Sequence, residues 1–510
     1  MDYALALLSG ALLALSFPRY GHPVVALVAV VPLFVALAGW RGRPGVYRGQ
    51  PFRRGAALGA VTGLVYFGGT IYWTGAVVET FGGLPGIVAL LCALALALYM
   101  SAYTALAGGL IGALVARAGA RGLVLAPTAW VAAEFARGHV LGGFPWVPLG
   151  AAVVTLTPIA QLASLVGVYG LSGYLATLGV LVASALTTEG RPRLTAAAGA
   201  VLLLAGVSAW GASRVADGRL TRDGSPFVVG LIQPNISQQD KWNRALGPEI
   251  ASRFADLTRE AVAKGAQAVL WPESSTPYLF NEDPVRAESV RALVRDTGVP
   301  LLFGTDEVER GTPDRYYNSA FVLDPTGAVA AVYRKMQLVP FGEYVPLRHL
   351  LFFVSPLVDA VSDFAPGERV TMMPLGEHMA STAICYEVVY PHLIRQAVMN
   401  GSELLTTITN DAWYGDSSAP YQHFALASMR AIEQGRYLAR AANTGISGVV
   451  DPYGRPVVTT RVFEQAVVTA EVRFLQERTL YATIGDAVAV VSLGLTLAAA
   501  AWLAASRPAR

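Results

Sequence analysis

Charge is what this chain has least of. Lysine, arginine, aspartate and glutamate make up 14% of the 510 residues and apolar residues 54%, where an ordinary soluble domain carries about 25% charged. That balance excludes a purely water-soluble protein and assigns a large part of the chain to lipid. Cysteine is nearly absent as well. Its two positions are Cys92, inside an apolar run, and Cys385, in a polar stretch, so no disulfide between them is expected and Cys385 reads as a free thiol. Six histidines occur without a metal-binding pair such as His-x-x-x-His, and neither a metal nor another cofactor is implied. Basic residues form no continuous stripe and the net charge is only +3, which leaves nothing to recruit nucleic acid.

What the chain has instead is long apolar runs. A bilayer-crossing helix takes roughly 20 mostly apolar residues. Seven candidate runs precede residue 215, near 3–18, 24–40, 56–78, 86–116, 122–136, 152–187 and 194–213, and an eighth lies near 482–505. The first has no basic residue before it and no small-residue cleavage signature, so it reads as a retained helix. The expected organisation is seven membrane helices over 1–214, a polar domain over 215–478, and an eighth helix with a tail over 479–510. Arg41, Arg43, Arg48, Arg53, Arg54, Arg117, Arg121, Arg191 and Arg193 fall in the linkers after the even-numbered spans, with Arg507 and Arg510 in the tail, whereas the odd linkers hold Arg19 and Arg137. Short cytoplasmic loops concentrate such charges. Both termini are therefore expected inside and the polar domain outside, where an unpaired cysteine is unusual unless its reactivity is used. One external linker, Glu134, Arg137 and Gly143-Phe144-Pro145-Trp146, has two readings. It is an aromatic belt with a turn, or a platform on which Arg137 meets a lipid phosphate.

Between residues 227 and 450 short β-rich runs alternate with amphipathic helices. Strands are expected at 227–236, 266–271, 300–304, 320–323, 381–385, 404–409 and 448–450, and helices at 249–264, 284–296, 391–399 and 421–436. Asp324-Pro-Thr-Gly and Asp451-Pro-Tyr-Gly are hairpin turns, because proline presets one central dihedral and glycine accepts the positive one. The pattern is that of an α/β layered domain. Within it, Leu270-Trp-Pro-Glu273, Tyr333-Arg-Lys335 and Ile384-Cys385-Tyr-Glu387 end three apolar runs. Taken singly, a cysteine is usually a small buried hydrophobe and a glutamate or lysine a solvated charge. Together they supply a nucleophile, a base to take its proton, and a cation to hold the charge of a tetrahedral intermediate.

Those three phrases resemble the signatures of the nitrilase, or carbon-nitrogen hydrolase, superfamily. Phe341-Gly-Glu343-Tyr-Val-Pro346, Gln233-Pro-Asn-Ile236 and Lys241-Trp242, together with the membrane runs, are similar along the whole chain to the bacterial apolipoprotein N-acyltransferase family. A small departure is Ser275 where alanine is expected. The resemblance implies an α-β-β-α sandwich joined to about eight transmembrane helices in the bacterial inner membrane. It also implies transfer of an acyl chain from a phospholipid donor, through a thioester on Cys385, to the α-amine of a diacylglyceryl-cysteine apolipoprotein. Glu273 would be the base and Lys335 the oxyanion partner. Glu343 would support Lys335, Trp242 and Tyr386 would line the substrate site, and Glu387 has either a structural or a chemical role. The apolar segment 347–361 is either a buried element or a flap that admits acyl chains. A membrane-tethered amidase acting on a small soluble amide is the alternative enzyme, and a transporter with a regulatory soluble domain the alternative of another class. Few charges lie within the spans to serve transport. No oligomeric state is implied.

Overall fold

The structure is a computed structural model describing residues 1–40, 50–241, 243–340, 342–344 and 364–506. Outside the described residues lie Trp242, Phe341, Val345 and Pro346 of the quoted phrases, the whole of 347–361, and Arg41, Arg43, Arg48, Arg507 and Arg510.

Apolar composition and helix length part company in the amino-terminal region. Among the described residues four helical stretches are long and apolar enough to cross a bilayer, Gly86–Arg137, Ala163–Thr187, Gly190–Thr221 and Ala487–Ala505. A fifth is counted if Pro51–Ile71 and Trp73–Gly82, bent by 51° at Tyr72, form one span. The first two expected spans are shorter helices, Asp2–Ala14 and Val31–Ala38. Pro18 and Pro23 lie between them, and a proline disfavours helix at the residue before it. The fourth and fifth expected spans are the helices Gly86–Ala118 and Ala126–Arg137, which pack on each other and are joined through the tighter stretch Gly119–Leu125, with Gly119 at φ +62°. Small residues let these helices approach. A side chain at Gly55 would put its first carbon 2.3 Å from Gly108 O, and one at Gly59 would put it 2.2 Å from Thr104 O, so helices 51–71 and 86–118 pack backbone to backbone.

The described residues of the polar region hold twelve strands: β1 Ser225–Gln233, β2 Ala268–Leu270, β3 Leu301–Glu309, β4 Arg315–Leu323, β5 Val329–Arg334, β6 Met373–Leu375, β7 His378–Ile384, β8 Leu404–Thr409, β9 Leu438–Ala442, β10 Gly448–Val450, β11 Pro456–Thr459 and β12 Ala466–Phe474. They form two six-stranded sheets, ordered β12-β1-β2-β3-β4-β5 and β11-β10-β9-β8-β7-β6. Contacts of β1 with β9, β4 with β7 and β5 with β6 set the sheets face to face. Helices Gly247–Ala263 and Pro284–Thr297 cover the first sheet, and Pro391–Met399 and Ala419–Gln434 cover the second. Both Asp-Pro-x-Gly turns close hairpins, β4 to β5 and β10 to β11, with Gly327 at φ +80° and Gly454 at φ +79°. Strand β9 was invisible to pattern reading because Arg440 interrupts its apolar run, yet Arg440 is completely buried.

The apolar core is continuous from the membrane helices through Ala419–Gln434 to the second sheet, while a separate cluster around Phe254, Trp271 and Phe303 lies under the first sheet's helices. Helix Ala419–Gln434 thus has protein on both sides, the sheet on one and helix Ala163–Thr187 on the other.

Candidate active site

Parallel strands bring their carboxyl ends to one edge, and side chains that follow them gather there. Cys385 follows β7, Asn410 and Asp411 follow the adjacent parallel β8, and Glu273 closely follows β2. The Glu273 turn is knitted to β3 by Trp271 N to Leu302 O (2.9 Å), Gly304 N to Pro272 O (3.2 Å) and Ser275 N to Gly304 O (2.7 Å). Gly304 is required there: an added Cβ would lie 2.6 Å from Glu273 Cα. Lys335 continues the ladder past β5 through its N–H to Asn318 O at 2.9 Å. Cys385 and Ser274 hold positive φ, +52° and +47°, a conformation that costs side-chain-bearing residues about 1–3 kcal/mol and persists where the surroundings enforce it.

The charges are buried and mutually bonded. Lys335 Nζ donates to Glu343 Oε1 at 2.8 Å and to Glu273 Oε1 at 3.4 Å. Asn318 Nδ2 donates to the same two oxygens, at 2.7 Å to Glu273 and 2.8 Å to Glu343. The remaining oxygens accept backbone N–H groups, Glu273 Oε2 from Asn410 at 2.9 Å and Glu343 Oε2 from Val339 at 2.8 Å. Burial works against the Lys335 ammonium, but Glu343 and Glu273 outweigh it and hold the group above the usual lysine range, so it stays a cation. Burial, with the Glu273 charge added and the Lys335 charge opposing, pushes the Cys385 thiol up to about 12. At rest the sulfur is protonated, and it becomes a nucleophile only as a base removes that proton.

Glu387 is spoken for. Its Oε1 accepts from Tyr333 OH (2.8 Å), Met336 N (2.7 Å) and Gln337 N (3.1 Å), and its Oε2 from Ile384 N (2.8 Å). It is fully buried, and burial raises it to about 6 although these donors oppose the shift. Its geometry is that of a strut joining the loop after Lys335 to the backbone before Cys385. Tyr386 stacks on Phe144 at 6.0 Å and on Trp146 at 6.3 Å between ring centroids.

Phe144 and Trp146 belong to the linker that the sequence leads one to expect outside, and here one of its two readings is corrected. Arg137 is 2% exposed, donates to Phe144 O (2.9 Å) and Trp146 O (2.7 Å), and lies over the Phe67 ring. It clamps the Gly-Phe-Pro-Trp turn and offers no surface to a headgroup. Trp73 joins the same wall, 5.0 Å from Tyr414 and 5.3 Å from Trp146. Burial pushes the Tyr414 phenol well above its usual range, and the nearby Cys385 adds to the shift. One flank of Cys385 is therefore aromatic and shared between Tyr386 and Tyr414 of the polar region and Trp73, Phe144 and Trp146 of the amino-terminal region.

Several further residues of the site escaped pattern reading. Lys241, 4% exposed, donates to Glu273 O at 3.0 Å, and burial, only partly offset by Glu273 and Asp306, lowers it to about 8. Asp306 beside it is raised by burial to about 6. Asn318 and Asn410 left no signal beyond being polar in or beside apolar strands, and strand pairing alone reveals their proximity to Glu273. His423, Asp411 and Arg440 form a third buried group, with His423 Nδ1 at 3.1 Å from Asp411 Oδ1 and Arg440 Nη2 at 2.8 Å from Asp411 Oδ2. Beside a cysteine this resembles a thiol-imidazole-carboxylate relay. Its Nε2, however, meets the carbonyl oxygen of Cys385 at 3.1 Å, so the imidazole is engaged with the backbone. Among the described residues no group of three or more His, Cys, Asp or Glu side chains is arranged to hold a metal.

Comparison with known proteins agrees with this two-part construction. A family model described as the apolipoprotein N-acyltransferase N-terminal domain matches residues 9–181, and one described as carbon-nitrogen hydrolase matches residues 228–480. Relatives named apolipoprotein N-acyltransferase include one from Geobacter metallireducens, 38% identical over 495 residues, 95% of this chain and 92% of the relative. Another from Shewanella oneidensis is 33% identical over 522 residues, 97% and 94% respectively. A solved amidase from Nesterenkonia sp. is 24% identical with a TM-score of 0.39, covering 50% of this chain and 93% of its own. On the strength of identity that spans both the helical and the layered regions, the chain belongs to the apolipoprotein N-acyltransferase family.

Proposed function

We propose that this protein moves a fatty acyl group from a membrane phospholipid to the N-terminal α-amine of a diacylglyceryl-cysteine apolipoprotein, by way of a thioester on Cys385. The names of its relatives support the reaction class. The observation that carries the reading is the composite surrounding of Cys385, where polar Glu273 and Lys335 on one side face an aromatic wall on the other that Trp73 and Trp146 of the amino-terminal region build with Tyr386 and Tyr414. An acyl tail costs about 0.8 kcal/mol for each CH₂ exposed to water, so a donor that stays in lipid fits such a site better than a soluble amide.

In the first half-reaction Glu273 takes the thiol proton and the sulfur attacks the ester carbonyl. Lys335 stabilises the resulting oxyanion. The ester C–O bond then breaks, Glu273 returns the proton to the departing lysophospholipid oxygen, and the thioester remains. In the second, the neutral α-amine attacks the same carbon, Glu273 accepts its proton, the C–S bond breaks, and the proton goes back to sulfur as the amide leaves. The unperturbed amine titrates near 8, so a neutral fraction is available without special tuning. Glu343 holds Lys335, Glu387 positions the two loops, and Tyr386 lines the acyl side. Trp242 is assigned to the substrate site on family resemblance alone.

The membrane arrangement belongs to the same proposal: helices of 1–214 and 479–510 crossing eight times, both termini cytoplasmic, and 215–478 facing outward. The linker arginines support it. Labelling of single introduced cysteines by an impermeant reagent tests it, and outward labelling of the 119–125 linker would overturn it. For the chemistry, full-length protein carrying Cys92→Ala is incubated with phospholipid alone and the Cys385 peptide weighed. A gain of one fatty acyl group is expected. An unmodified Cys385 in a protein that turns over small amides would replace the transferase by an amidase. Glu273→Gln is expected to slow thioester formation about 10²–10⁴-fold with phospholipid affinity little changed.

A further inference from the structure

Helix Ala419–Gln434 presents two adjacent buried polar residues, Gln422 and His423. Successive helical positions point about 100° apart, so the pair addresses two neighbours at once. Gln422 addresses the membrane helices with its whole hydrogen-bonding capacity. Its Nε2 donates to Pro18 O (3.2 Å) and Thr70 O (3.1 Å), and its Oε1 accepts from Trp73 Nε1 (3.3 Å) and Trp146 Nε1 (2.8 Å). Turning the amide over would oppose donors to donors and acceptors to acceptors, so the four partners define its orientation.

His423 addresses the nucleophile. A carbonyl only accepts, so the 3.1 Å contact with Cys385 O puts a proton on Nε2. Nδ1 lies between Asp411 Oδ1 at 3.1 Å, which can only accept, and Arg440 Nη2 at 3.0 Å, which can only donate, and in the ring protonated on Nε2 alone it accepts from Arg440. Burial and the Arg440 charge hold the imidazole below its usual range, consistent with a neutral ring. The peptide it grips is the strained one, Cys385 at φ +52°. The Trp146 ring packs against His423 at 5.5 Å, so the two contacts are mechanically joined.

We propose that Gln422 and His423 are positioning residues of the acyl-transfer site, together locking the nucleophile's backbone and its aromatic wall to the membrane helices. This rests on the Cys385 thioester reading and adds to it the device that registers a membrane-held donor against the sulfur. The test follows single-turnover thioester formation in full-length protein carrying Cys92→Ala, reconstituted in phosphatidylethanolamine-containing vesicles with labelled phospholipid at varied mole fraction. His423→Leu is expected to slow the maximal rate about 10²-fold, the scale of an ångström-level misplacement, with the half-saturating mole fraction unchanged. His423→Gln, whose terminal amide reaches the same carbonyl, is expected to recover about tenfold of that loss. Gln422→Glu, which sets an oxygen against the Pro18 and Thr70 carbonyls, is expected to slow the step as Gln422→Met does. If His423→Leu fails to fold, His423→Gln against the shorter His423→Asn repeats the comparison. A His423→Leu rate equal to the parent's, or equal rates for the donor-bearing and donor-lacking variants, overturns the positioning role while leaving the thioester reading intact. A parent protein that never acylates Cys385 overturns both.

Discussion

Helices Gly247–Ala263 and Ala419–Gln434 occupy corresponding outer layers of the sandwich and are nearly equal in length, 17 and 16 residues. The first meets water. Its exposed side carries Arg253–Glu249, Arg259–Asp256 and Lys264–Glu260 pairs, and its buried side places Ile250, Phe254 and Leu257 against the sheet. The second meets membrane helices, and Gln422, His423, Arg430, Glu433 and Gln434 are all buried. Charges on the first helix are screened and worth little. On the second, each polar group must find a partner or bear the full cost of desolvation. The architecture of the layer is the same, but the solvent opposite it decides whether a polar residue is ornamental or structural.

The comparison is broken most severely by removing a charge from beneath the membrane-facing helix. Arg440→Met strands buried Asp411, which Arg440 and His423 hold below the usual carboxylate range against the opposing effect of burial. A loss of about 3–5 kcal/mol is expected in denaturant unfolding of the detergent-solubilised protein. On the water-facing helix the largest polar effect should come from its buried side, where Trp271 Nε1 donates to Thr258 Oγ1 at 2.9 Å. Thr258→Val is expected to cost about 1–3 kcal/mol by the same measurement.

A pH series sharpens the contrast. Burial raises Glu433 to about 7, with Arg430 and the Val168 N–H opposing. The native state then keeps a proton that the unfolded chain releases above the ordinary range near 4.3, so native binds more protons than unfolded between that value and about 7. Stability falls as pH rises through this window, and Glu433→Gln should flatten the decline. An unaltered slope would remove Glu433 from the account. The smallest effect is expected at Lys264→Ala, whose exposed partner Glu260 lies on the water-facing helix: a change within about 0.5 kcal/mol.

Much of the site was legible because its chemistry needs rare residue types at strand ends. Cys385, Glu273 and Lys335 stand out by identity and by the apolar runs they terminate, and the structure brings Lys335 within reach of Glu273 and Glu343. Glu387 was ambiguous, since closeness to Cys385 does not say which way a carboxylate turns, and four donors settle its geometry. Arg137 was misleading for a similar reason. An arginine near a membrane edge suggests a phosphate, whereas two backbone carbonyls of its own loop have taken it. Arg440 hid a strand because its compensating Asp411 lies 29 residues away along the chain.

By itself the sequence determined that this protein has a lipid-bound part and an α/β part, and the family to which they belong. Those properties follow from composition, periodicity and local turn chemistry, each carried by neighbouring residues. Only the tertiary structure decided that Trp73 and Trp146 of the amino-terminal region wall the site around Cys385, and that one helix fastens both to the backbone of Cys385. Those contacts join residues far apart along the chain, Gln422 lying 349 positions from Trp73 and 276 from Trp146, and their polar groups acquire partners only when folding removes the water between them.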